Sequence, residues 1–169
     1  MAPVSRTMRE GLVVGLIAYA AVAAFYAVFD LLAARGGLYT LDLLGKVFFR
    51  GLRDPAVLQL PFQYDVGGMV LYNGLHLLIS LAIGFIVTGL VAQAEQRPAR
   101  AHLVGLTIVM GFVVTIIGVG LLTTEVRPVL PWWSIVVANA LAVVLAGSYV
   151  VHKHPGLWHR LIPFSESSR

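Results

Sequence analysis

The 169 residues are 59% hydrophobic and 12% charged, with a mean hydropathy of +0.86. That excludes a soluble domain, because an interior of this size cannot hide so much apolar surface, whereas a bilayer acts as solvent for it. The net charge is +4, but the basic residues stand in short segments between apolar runs. They read as topology signals and headgroup contacts, and no nucleic-acid partner is expected.

The sequence predicts an all-α integral membrane protein, a single membrane domain over 1–169 with four transmembrane helices in a compact bundle. The first span covers residues 11–34. At about 1.5 Å per residue it reaches roughly 36 Å, more than the hydrocarbon core of about 30 Å. It follows a short basic segment with Arg6 and Arg9. It exceeds the roughly 7–15 apolar residues of a signal peptide, so it is expected to be a retained signal-anchor helix. Asp30 is the one charge in this run. Its ordinary role there is an interfacial ion pair with Arg35 or a helix cap; the functional alternative is a proton or cation site near the outer mouth.

Residues 35–65 form the long connection. Within it, 41–53 has an amphipathic pattern, with Leu41, Leu44, Phe48 and Leu52 on one side, Leu43, Val47 and Phe49 beside them, and Asp42, Lys46, Arg50 and Arg53 on the other. It is too short and charged to span, so it is expected to lie as an interfacial helix on the outer surface. Residues 55–65 are apolar but interrupted by Pro55 and Pro61, which rules out a regular helix throughout. They are expected on top of the bundle or at an entrance to it.

The remaining spans are 66–94, 101–123 and 131–151, each near or above the roughly 20 residues a crossing needs. Arg97-Pro98 breaks the chain between the second and third, and Pro128 and Pro131 between the third and fourth. The tail, 152–169, is basic and amphipathic and reads as an inner-surface anchor, with His152, Lys153 and His154 facing headgroups.

With the N-terminus inside, the inner segments carry seven Lys or Arg and the outer ones five. That favours cytoplasmic N- and C-termini in a bacterial inner membrane. Trp132 and Trp133 then mark the outer interface and Trp158 the inner one.

Polar residues inside a span are costly and are often functional. On the second span Asn73, His76, Ser80, Gly84 and Thr88 recur at spacings of three or four and share one face. The ordinary role of such a face is helix packing with interhelical hydrogen bonds. The alternatives for His76 are a proton relay, a substrate contact or a single axial ligand to haem or bacteriochlorophyll. The other histidines stand near the opposite end of the spans, which disfavours an internal bis-histidine haem. Asn139 of the fourth span would sit at the depth of His76, so a site combining the two requires that spans two and four touch.

Each span also owns a stripe of small residues: Gly11, Gly15 and Ala18; Ser80 and Gly84; Thr107, Gly111, Thr115 and Gly118; Ser134, Ala138, Ala142 and Ala146. These are surfaces for close helix packing. The chain has no cysteine, so disulfides, thiolate metal sites and cysteine-held clusters are excluded. No phosphate-loop, zinc-protease, nucleophile-elbow or EF-hand pattern occurs, no paired acid and base is visible, and an enzyme is the last reading. The leading expectation is a non-catalytic accessory or assembly subunit of a larger membrane complex, respiratory or photosynthetic, embedded in lipid beside other membrane subunits. The alternatives are a small oligomeric transporter or channel and a pigment- or haem-binding protein using His76.

Overall fold

A computed structural model of the chain describes residues 4–52, 54, 63–97, 99 and 101–156. Arg53, the segment 55–62, Trp158 and most of the tail lie outside the described residues, and with them the expectations for the proline-broken segment and the inner anchor.

Five helices account for almost all of the described chain: α1 (Val4–Leu32), α2 (Tyr39–Arg50), α3 (Val66–Gln96), α4 (Ala101–Leu122) and α5 (Trp132–Lys153), with a short 3₁₀ turn at Thr124–Val126 between the last two. Four of them, all but α2, are long and apolar enough to cross a membrane. The protein is therefore a four-helix membrane bundle with a short amphipathic helix between its first two spans. α1 begins well before residue 11, because the Arg6–Glu10 pair at i,i+4 (2.9 Å) continues the helix through the polar segment.

The boundaries follow local chemistry. Asp65 caps α3 by accepting the Gly68 N–H at 3.0 Å. α2 stops at Gly51, whose left-handed backbone (φ 66°) turns its N–H onto the Lys46 carbonyl. α5 starts directly after Pro131, where a missing N–H costs nothing.

α1 is the central element and packs along both α3 and α5, while α3 and α5 barely touch each other. The α1–α3 seam joins two of the small-residue stripes. A methyl group on Gly15 would come within 2.7 Å of the Leu81 Cα, and one on Gly11 within 2.5 Å of the Phe85 ring. One on Gly84 would strike the Gly11 carbonyl. Ser134, Ala138, Ala142 and Ala146 are all buried on α5. α4 is held most thinly, by α3, α5 and the 3₁₀ turn.

Two apolar clusters close the bundle. Tyr39, Leu43, Leu44 and Val47 of α2 meet Val126, Val129, Leu130 and Ile135 at the α2 end. Val14, Val91, Ala94, Val104, Ala146 and Val150 meet at the other end, the terminus end, where α1 begins and α5 finishes.

The face that α2 buries is only partly the one the sequence pattern places: Leu43, Leu44 and Val47 are buried, but Phe48 and Leu52 are exposed and Asp42 is fully buried. The rotation follows from Gly45, where a methyl group would approach the Gly68 carbonyl carbon to 2.5 Å. That close approach of α2 and α3 turns Asp42 inward.

Candidate functional site

Three assemblies of polar side chains stand out among the described residues. The first ties α2 to its neighbours. Asp30, 1% exposed, accepts the Thr40 backbone N–H at 2.6 Å and the Thr40 hydroxyl at 2.7 Å. It thus caps α2 from the end of α1, in place of a cap at Leu38, whose side chain supplies none. Arg35 does not take its hydrogen bond there. Its guanidinium donates to the Val129 carbonyl at 2.7 Å and lies over the Phe29 and Tyr39 rings. Asp42 accepts the Asp65 N–H at 2.6 Å, and the Lys46 ammonium stands 2.6 Å from its other oxygen. Arg50 grips the Asp65 carboxylate through Nε at 2.6 Å and Nη2 at 3.2 Å. With the Gly68 N–H this guanidinium holds the Asp65 carboxyl down at about 2.

The second assembly contains His76. Tyr19 of α1 donates its hydroxyl to the Asn73 side-chain oxygen of α3 at 2.8 Å. The Tyr19 ring lies 5.2 Å from the imidazole, centroid to centroid, and Tyr72 stacks on it at 6.3 Å. Phe48 of α2 continues the aromatic group, 5.7 Å from Tyr72. Among the described residues neither ring nitrogen of the half-buried His76 has a hydrogen-bond partner. Both are left to accept from, donate to or ligate a group from outside the chain.

Ser80, one turn further along α3, is buried against α1 as well: its backbone carbonyl forms the floor of the Gly15 contact. Asn139 does not join His76. Its amide donates to the Ile135 carbonyl of its own helix at 2.8 Å, and α1 stands between α3 and α5.

The third assembly lies at the terminus end, and sequence reasoning missed it. His154 is 9% exposed rather than facing headgroups. Its Nδ1 is 2.6 Å from a Glu95 carboxylate oxygen and its Nε2 3.1 Å from one of Glu10. Glu10 in turn binds Arg6. His152 and Lys153 are exposed, as expected. The available signal was positional: Glu10, Glu95 and His154 each stand at the same end of a different span. The two carboxylates take opposite ring nitrogens and so do not converge on one point. Consistently, no three His, Asp or Glu among the described residues are placed to hold a metal ion.

Comparison with protein-family models, with curated proteins and with solved structures finds no match for this chain.

Proposed function

We propose that the chain is an accessory subunit of a larger membrane complex and that it binds a transmembrane helix of a partner subunit along α4. One observation carries this reading. The small-residue stripes of α1, α3 and α5 are consumed in packing within the chain, and that of α4 is open. A methyl group on Gly111 or Gly118 would meet nothing within 4 Å, and Thr107 beside them is exposed. Lipid tails gain little from a groove in a helix surface, whereas a second helix gains close backbone packing along it. The thin attachment of α4 to its own bundle leaves room for such a helix. In this reading the termini face the cytoplasm of a bacterial cell, as the Lys and Arg bias favours, and α2 lies outside.

The test is the mass of the particle released from native membranes by mild detergent. The native chain and a Gly147→Leu control, altered at another open glycine, are expected in a complex with a second protein. Gly111→Leu is expected to be released alone. A native chain that is strictly monomeric removes the reading, and a particle built only of this chain replaces it with the oligomeric transporter or channel.

The free nitrogens of His76 favour a second reading, a haem or bacteriochlorophyll held by this residue. An absorption spectrum of the purified chain decides it, since such a pigment gives an intense visible band that His76→Ala removes.

A further inference from the structure

The cluster around His154 has no part in the reading above. It joins three helices: α1 through Glu10, α3 through Glu95 and the end of α5 through His154. The Glu10 side chain is 13% exposed and that of Glu95 40%. A neutral imidazole has one N–H and one lone pair. It can serve one carboxylate but must turn its lone pair on the other. The imidazolium donates to both. The charges agree with this: Arg6 and the imidazolium balance Glu10 and Glu95, whereas beside the neutral ring one carboxylate is uncompensated and faces the lone pair of a buried imidazole. The other ionisable groups at this end, Arg9 of α1, Arg97 after α3, His102 of α4 and His152 and Lys153 of α5, are exposed.

We propose that His154 is a proton-operated clasp. The bound proton fastens the end of α5 to α1 and α3, and its loss to the aqueous phase at that face frees the end of α5. Because α3 and α5 barely touch elsewhere, this link largely sets their spacing at the terminus end. The valine-rich cluster beneath it keeps the helices associated when the clasp opens, so the change is local.

The natural chain has no cysteine, so spin labels can be placed cleanly at Gln96→Cys and Gly156→Cys, both exposed positions. The distance between them is measured in lipid nanodiscs from about pH 5 to about pH 8, where histidine titrates. One narrow distance is expected at the acid end, with loss of that peak towards the alkaline end of the range. His154→Gln, whose two N–H donors share a single nitrogen and cannot reach carboxylates set on opposite ring nitrogens, is expected to be broad at every pH. The double variant Glu10→Gln, Glu95→Gln offers amides that can bond either form of the ring, and is expected to stay narrow at every pH. Nitrogen-15 spectra of His154 should show both ring nitrogens protonated at the acid end. A distance that ignores pH in the native chain, a pH response that persists in both variants, or a neutral ring at the acid end each overturns the proposal.

Discussion

Gly45 of α2 rests on Gly68 of α3 so closely that a methyl group on Gly45 would stand 2.5 Å from the Gly68 carbonyl carbon. Both neighbours there are backbone, and neither can move aside as a flexible side chain would. Gly45→Ala is therefore expected to destabilise the protein by about 1–3 kcal/mol, the usual cost of overpacking. Gly147→Ala, in open space, is expected to be neutral or to stabilise by up to about 1 kcal/mol through helix propensity. Equilibrium unfolding in detergent micelles compares the two.

Asp30 caps α2 across a turn of chain, so its removal acts on α2 rather than on α1. Asp30→Ala leaves the Thr40 N–H without its partner in a buried place, for a loss of about 1–3 kcal/mol. Asp30→Asn retains one acceptor oxygen and is expected to lose less. Amide exchange at Thr40 should speed up in Asp30→Ala and change less in Asp30→Asn. Equal exchange in all three chains would contradict the cap.

The Asp65 carboxyl is held at about 2 by the Arg50 guanidinium and then by the Gly68 N–H, below the ordinary value of about 3.9. A carboxyl depressed on folding adds stability above its unfolded value and loses it as the pH falls through the folded one. The α2–α3 junction is thus expected to be intact above about pH 4 and to loosen progressively towards pH 2. The Asp65 carboxyl carbon should titrate near 2 in the native chain, and Arg50→Gln should move that midpoint upwards.

Among the described residues Tyr19 makes the one hydrogen bond between α1 and the His76 group. Tyr19→Phe keeps the ring against the imidazole and removes the bond to Asn73. Interhelical bonds in membranes average about 0.6 kcal/mol and reach about 1.7, and a loss in that range is expected. Unfolding measured beside Asn73→Ala and the double variant gives the coupling, and additivity of the two changes would count against the bond.

Length and hydropathy made the four spans legible, because a bilayer imposes both on any helix that crosses it. The stripes at Gly11/Gly15 and Ser80/Gly84 were also legible as packing faces, since closeness there depends only on residue size. What could not be read was pairing over distance. Asp42 looks like the solvent face of α2 until Asp65, 23 residues away, is seen to occupy it. His154 looks like part of a basic tail until the bundle brings Glu10 and Glu95 to it. His76 and Asn139 stand at similar depths on paper, but depth does not say which helices are neighbours.

The central claim, that a partner helix lies on α4, is tested most directly by a photoreactive residue placed at Val114, an exposed position between Gly111 and Gly118 on the same face of α4, and activated in native membranes. The same residue at Leu78 of α3, also exposed, serves as the control. The account predicts a covalent adduct of a single partner protein at 114, abolished by Gly118→Leu, and lipid adducts alone at 78. Lipid adducts alone at 114 would contradict it.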